Sequence, residues 1–336
     1  MQTLASSQNQ DMKELFEKFK SLNILVIGDI MIDKYVWGKV DRISPEAPVP
    51  IVRVHKHENR LGGAANVALN VQSLGANPII CAIVGEDHEG QELKSLMEEH
   101  GLNSFGILAL ANRLTTVKTR VIAHNQQIVR IDSESEQLID PDQTRDILEK
   151  IKEIINSKAI DAIIFEDYDK GLLHKDLIEN VVELANQKGI LTVVDPKKNN
   201  FPHYKNVSLY KPNLKELAEG LNISIDPQQL AEVEVAVARL AEEQQLNAVL
   251  LTLSEHGAYI LCPDGKKLIP AHVRDIADVS GAGDTVIATA TLCLAAGMSF
   301  FKTAELANLA GGLVCEHAGV VPIGKEELLR EAEKLI

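Results

Sequence analysis

Apolar residues recur along this chain with two different periods. NILVIGD (Asn23–Asp29) is a short β-branched run closed by Gly-Asp, the pattern of a strand buried on both faces. PIICAIVG (Pro78–Gly85), AIDAIIFED (Ala159–Asp167), ILTVVD (Ile190–Asp195) and LNAVLLTL (Leu246–Leu253) repeat it. Between them the spacing turns helical: GGAANVALNVQSLGA (Gly62–Ala76), Asp87–Glu99, Thr144–Asn156, Lys175–Gln187 and a helix after VSLYKPN. Strands alternating with helices predict a mostly parallel sheet covered on both faces, an α/β fold.

Two stretches break the alternation. Asp33–Glu58 and Leu114–Glu134 are strand-like in composition, without a helical period, and Asn125-Gln126 has the character of a hairpin turn. Charge then changes the picture. The 336 residues carry 34 Lys+Arg against 48 Asp+Glu, a formal charge of −14, yet Lys34–Arg60 and Asn112–Asp132 each sum to +3. An acidic surface argues against nucleic acid and anionic membranes, which need clustered positive charge. Two basic β segments inserted in an acidic body predict a small sheet lying as a lid over an active site; two surface hairpins without a role are the plainer alternative. The expected organisation is a core from 20–33, 59–111 and 135–336, a lid from 34–58 and 112–134, and a polar extension at 1–19. Asp11–Lys20 has helical character. Cys81, Cys262, Cys293 and Cys315 show no metal or redox spacing and predict buried thiols in a reducing compartment. With no apolar leader core and no run long enough to span a bilayer, a cytoplasmic protein is expected.

Three groups of residues carry candidate chemistry. In DVSGAGDT (Asp278–Thr285), Gly281, Ala282 and Gly283 form a turn poor in side chains that leads into an apolar helix. Its free N–H groups and the helix dipole suit an anion. Asp284 there is either a cap or a base for a substrate hydroxyl. In KPNLKE (Lys211–Glu216), Asn213 and Glu216 stand three apart at a helix start. They suit a hydrated Mg²⁺ beside phosphates or, equally, a capping box. Asp29, Asp33, Gly62, Gly63 and Asn66 gather at the first strand ends, where carboxylates, an amide and bare backbone suit a polyhydroxylated ligand. There is no P-loop and no protein-kinase catalytic loop, and Val286 spoils a dinucleotide fingerprint.

Taken in order, GGAAN, N-x-x-E and DVSGAGDT resemble the ribokinase-like (PfkB) carbohydrate kinases. RISPEAPVPIV (Arg42–Val52), NQQIVRID (Asn125–Asp132) and DYDKGLL (Asp167–Leu173) resemble the branch that phosphorylates heptose 7-phosphate at its anomeric hydroxyl. The resemblance implies a three-layer α/β/α sandwich with a β lid. It also implies ATP and Mg²⁺ as cofactors, K⁺ as a further one, and a sugar phosphate as substrate. Asp284 would be the catalytic base and Gly281–Gly283 the anion hole. Asn213, Leu214, Lys215 and Glu216 would bind ATP and, indirectly, Mg²⁺. Asp29, Asp33, Gly62, Gly63 and Asn66 would bind the sugar, and Asp278 and Ser280 a monovalent cation. Two residues depart from the family habit: Lys211 stands where Thr is usual, and Asp169 where a small residue is common.

A substrate that already carries a phosphate needs cations away from the reacting hydroxyl. Arg42, Lys118, Arg120, Arg130 and Lys197 are the candidates, four of them on the lid. Other readings are a kinase of a neutral sugar or nucleoside, and a non-catalytic binding regulator. The length suits the kinase alone, with adenylyl transfer left to a separate protein. Lid edges need covering, so a homodimer through the lids is expected, with Val36, Trp37, Val49 and Ile51 on its apolar face.

Overall fold

Each apolar run becomes a strand of one sheet. This computed structural model describes residues 12–335 other than 125, 227 and 273. After a helix over residues 12–19 (α1), the chain forms β1 (Asn23–Gly28), β4 (Asn77–Gly85), β5 (Ile107–Leu110), β8 (Ala162–Glu166), β9 (Leu191–Asp195), β10 (Leu209–Tyr210) and β11 (Val249–Thr252). All pair in parallel, and the hairpin β12 (Ala258–Cys262) and β13 (Gly265–Ile269) adds two antiparallel strands at one edge. The order is β13-β12-β11-β10-β9-β8-β1-β4-β5. Residues Ile24–Ile27 of β1, in the interior of this order, have no exposure at all, as expected of a strand covered on both faces.

Helices α2 (Ala64–Ser73), α8 (Ala282–Ala295), α9 (Phe300–Val314) and α10 (Lys325–Leu335) pack in one contiguous layer. Helices α4 (Pro141–Ser157) and α5 (Lys175–Lys188) pack together, as do α6 (Leu214–Leu221) and α7 (Leu230–Gln244); α3 (His88–Glu99) packs on β2, β3 and β4. The expected α/β architecture is thus observed. The β12–β13 hairpin, α9 and α10 had no counterpart in the periodicity. Helix α9 is apolar nearly all round and carries no stripe to detect. Asp11, in the expected N-terminal helix, and Asn125, in the expected hairpin turn, lie outside the described residues.

The second sheet has four strands in the order β3-β2-β6-β7. Strand β2 (Ile30–Ile43) leaves β1 after the single residue Asp29, and β3 (Pro50–Gly63) runs straight into α2. Strands β6 (Thr116–Ala123) and β7 (Gln126–Ser133) complete it. Asp33, Gly62 and Gly63 therefore lie on strands of this small sheet. Register sorts its side chains, because paired residues share a face and neighbours along a strand alternate. One face carries the rows Arg60–Asp33–Lys118–Asp132 and Glu58–Tyr35–Arg120–Arg130, and the other the row His57–Val36–Val121–Val129. The first face meets the core, where Asp33 and Tyr35 are buried. Trp37 is a correction to the expected apolar face: it stacks on Tyr35 with ring centroids 6.3 Å apart, on the opposite side from Val36. Strand alternation separates residues 36 and 37 whatever their hydrophobicity.

Candidate active site

Helix α8 begins at the expected turn. Gly281 is its N-cap with φ 82°, and no side chain caps it; the Ala282 N–H turns back to the Val279 carbonyl at 3.3 Å, while those of Gly283 and Asp284 stay available to a ligand. Asp284 sits in that first turn without capping it. Its Oδ2 accepts a hydrogen bond from Asn66 Nδ2 at 2.7 Å, and its Oδ1 accepts from the Tyr168 hydroxyl at 3.3 Å. Burial pushes its carboxyl up to about 6; Asp195 adds to the rise, while the Asn66 bond and Lys211 oppose it. A carboxylate desolvated and held in this way is a base with raised proton affinity.

The residues expected around a sugar divide into two roles. Asn66, on α2, holds Asp284, and its own Oδ1 is buried with no partner. Asn70, one turn on, accepts from Thr285 Oγ1 and from the Ile323 N–H, both at 3.0 Å, so α2 fixes the start of α8 at two points. Asp33 pairs with Arg120. Gly62 lies beneath that carboxylate: a Cβ there would come within 2.5 Å of Asp33 Oδ2. Gly63 has φ 58°, and its missing Cβ lets the Asp29 carbonyl approach. Asp29 is committed to backbone, accepting from the N–H of Tyr168 at 2.8 Å and of Lys170 at 3.2 Å; burial raises its pKa. It shapes the loop that presents Tyr168.

The nucleotide candidates form a full capping box. Asn213 Oδ1 accepts from the Glu216 N–H at 2.8 Å, and Glu216 Oε2 accepts from the Asn213 N–H at 2.9 Å. The other Glu216 oxygen pairs with Lys197. Lys215, in the first turn of α6, has a side chain 82% exposed, with its Nζ 3.9 Å from Glu219. Leu214 opens the helix and packs partly into the core. The cations at this end are Lys197 and Lys211. Lys211 is buried and pairs with Asp195 at 2.8 Å. A Cβ on Gly283 would stand 3.6 Å from both Lys211 Nζ and Asp195 Oδ2, so this pair adjoins the anion turn. Glu166, opposite Asp195 in register, is buried with Oε2 unpartnered. Burial and then the charges of Asp195 and Asp284 drive its pKa well upward. Among the described residues no group of three or more His, Cys, Asp and Glu is placed to hold a metal ion.

Sequence inspection passed over Glu166, Tyr168, Asp195, Asn70, Tyr35 and Arg60. One signal was present: three apolar runs, NILVIGD, AIIFED and ILTVVD, all end in acids, and parallel pairing brings those ends to one edge.

The cations of the small sheet are not bare. Lys118 pairs with Asp132 at 3.2 Å and Glu134 at 2.9 Å, and Arg130 with Asp132 at 2.9 Å. Glu134 stands just beyond Asn112–Asp132, so the +3 of that stretch overstates the positive field. Arg120 and Arg130 are nonetheless direct cross-strand neighbours, a like-charge pairing that an anion would relieve. Arg42 is exposed near the far end of β2. Asp278 Oδ1 accepts from the Ser280 N–H at 2.9 Å, and Asp278 Oδ2 from the Gly319 N–H at 3.0 Å. All four cysteines are free thiols, and three are buried. No described helix is long and apolar enough to cross a membrane.

Comparison with known proteins agrees with this geometry. The profile of the pfkB family carbohydrate kinases matches residues 21–326. The chain is 40% identical over 305 residues to the "Bifunctional protein HldE" of Helicobacter pylori (strain J99), covering 91% of this chain and 65% of that protein. It is 38% identical over 324 residues to the protein of the same name from Geobacter sulfurreducens, covering 96% and 65%. The chain thus spans about two thirds of these relatives. Among solved structures, Escherichia coli phosphofructokinase-2 in complex with potassium superposes with a TM-score of 0.77 at 18% identity, over 93% of this chain and 98% of that one. Arabidopsis thaliana ribokinase complexed with ribose and ATP gives 0.71 at 16%, over 94% and 99%. These two show a shared ribokinase-like fold. An uncapped anion turn with a buried carboxylate in its first turn, in a chain matched by this profile over most of its length, leads to one conclusion: the protein belongs to the pfkB family of carbohydrate kinases.

Proposed function

We propose that this kinase transfers the γ-phosphoryl group of ATP to the anomeric hydroxyl of D-glycero-β-D-manno-heptose 7-phosphate, giving the 1,7-bisphosphate used in ADP-heptose and lipopolysaccharide core synthesis. The observation that carries it is a base at the anion turn, Asp284, with the basic face of the small sheet turned toward the same core. Asp284 takes the hydroxyl proton as the sugar oxygen bonds to phosphorus. The bond from the γ-phosphorus to the bridging oxygen breaks, and ADP leaves with that electron pair. The Gly281–Gly283 amides hold the equatorial oxygens, each donor contributing about 3–4 kcal/mol in comparable sites. Asp33, fixed by Arg120 and seated on Gly62, binds sugar hydroxyls, and Arg120 with Arg130 faces the 7-phosphate.

Kinases of this family use ATP with a divalent metal, which offsets phosphate charge when bound. The donor set fits Mg²⁺: Glu166 has an unpartnered buried oxygen, and Glu216 is held by its capping box. Lys197 pairs with Glu216 and Lys211 with Asp195 beside the anion turn, and both hold the phosphates.

A kinase of a neutral sugar is the second reading, favoured by the acids already paired with Lys118 and Arg130. ADP release over a panel of sugars and sugar phosphates decides between them. Heptose 7-phosphate is expected to give the highest kcat/KM, and Arg130→Met to raise its KM about tenfold while sparing a neutral sugar. A neutral sugar as best substrate, or an equal effect of Arg130→Met on both, would overturn the assignment.

A further inference from the structure

The loop after α9 closes the back of the anion turn. The Gly319 N–H and the Ser280 N–H occupy the two oxygens of Asp278, and the N–H groups of Ala277 and Asp278 donate to the Cys315 carbonyl at 2.8 and 3.2 Å. Val320 Cγ1 stands 3.3 Å from where a Cβ on Gly281 would be. An alkali cation beside Asp278 and Ser280, as the family resemblance implies, would draw on oxygens of this region. Those oxygens are already engaged. Arg60 Nη1 donates to the carbonyl of Val320 at 3.0 Å and of Ala318 at 3.3 Å.

Two further contacts fix that guanidinium, and a third ties Tyr35, on which it lies, to the same loop. Its Nε donates to Glu58 Oε1 at 2.6 Å, its carbon lies 4.9 Å from the Tyr35 ring centroid, and the Tyr35 hydroxyl accepts from the Val320 N–H at 3.4 Å. Gly319 completes the fit: with φ 73°, a Cβ there would come within 2.5 Å of Arg60 Nη1. Carbonyls that take a guanidinium proton, next to a fixed positive charge, are a poor site for a second cation. The residues present do not fit K⁺.

We propose that Arg60, carried on a strand of the lid sheet, supplies from within the chain the positive charge that a bound potassium ion would supply, and so makes the kinase independent of alkali cations. Because the charge rides on β3, correct seating of the small sheet also sets the loop behind Gly281. Arg60 is thus a positioning residue for the anion turn.

The test compares potassium chloride with tetramethylammonium chloride at equal ionic strength, reading both melting temperature and ADP release. The melting readout needs no substrate, so it is separate from the heptose reading. Wild type is expected to melt within about 1 °C in the two salts and to turn over within about twofold. Arg60→Ala is expected to lose about tenfold in turnover without potassium, and to regain most of it, with a higher melting temperature, when potassium is added. Arg60→Lys is expected to stay indifferent to potassium. Marked stabilisation or activation of wild type by potassium overturns the proposal. So does an Arg60→Ala enzyme that is fully active, or one that is impaired and does not respond to potassium. If Arg60→Ala does not fold, the wild-type and Arg60→Lys measurements decide.

Discussion

Asp284 shows how one residue type can serve two purposes at one address. In sequence it could cap α8 or act as a base; in the fold its oxygens meet Asn66 and Tyr168, and capping falls to Gly281. Its pKa of about 6, raised first by burial, lies above the ordinary 3.8. A raised carboxyl stabilises the fold below its unfolded pKa, and that contribution is lost as pH rises through about 6. Two consequences follow at pH 8. Turnover of Asp284→Asn falls by at least about a hundredfold, because the proton acceptor is gone. The same variant melts a few degrees higher than wild type, because about 1–3 kcal/mol of buried-charge cost is relieved, and the gain disappears near pH 4. Wild-type turnover itself declines as pH falls through about 6. Kinetics and melting curves at the two pH values check both; an active Asp284→Asn enzyme would remove the base.

At the scale of elements, the start of α6 separates structural from chemical work. The capping box accounts for Asn213 and for one oxygen of Glu216, while the other oxygen and the neighbouring Lys197 face the acid cluster. Gln serves at the third position of such a box as well as Glu. Glu216→Gln therefore keeps α6 and the melting temperature, while its KM for Mg-ATP rises about tenfold through loss of charge. Asn213→Ala loses the cap and about 1 kcal/mol of stability. A Glu216→Gln enzyme with unchanged nucleotide dependence would leave only the cap. Strand ends teach a related lesson. Asp29, Glu166 and Asp195 each follow or end an apolar run, yet one ties down a loop, one carries a bare buried oxygen and one pairs with Lys211. Their position was legible in the sequence; their partners were not, because those come from elements 100 residues or so away, or from the residue facing them across the sheet.

For the whole molecule, the small sheet poses the remaining question. Its outer face exposes Val129 at 47% and Ile131 at 57%, beside the half-buried Val36 and Val121. Apolar rows on an exposed sheet invite a partner. A homodimer through these faces is the expected state, with Val36 in the contact and Trp37 outside it. Light scattering should give about twice the 36.8 kDa chain mass, and Val129→Asp with Ile131→Asp should reduce it to one chain. A monomeric wild type would refute this assembly. Such an interface would also stiffen the sheet that carries Asp33 and Arg60, so the split variant should lose turnover as well.

Local order determined a good part of this protein by itself. Period and punctuation define the strands and helices of the parallel core, since burial on both faces demands unbroken apolar runs. The turn at Gly281–Gly283 is equally local, because bare backbone at a helix start depends on no distant residue. Tertiary structure decided the rest. Only the packing of α2 against α8 makes Asp284 a held, desolvated carboxylate, and only strand register puts the cations of the small sheet on one face with their paired acids. It is also what brings Arg60 to the loop some 258 residues further along. Charge counts and spacing see neighbours in sequence, whereas proton affinity, ion pairing and cation sites depend on neighbours in space.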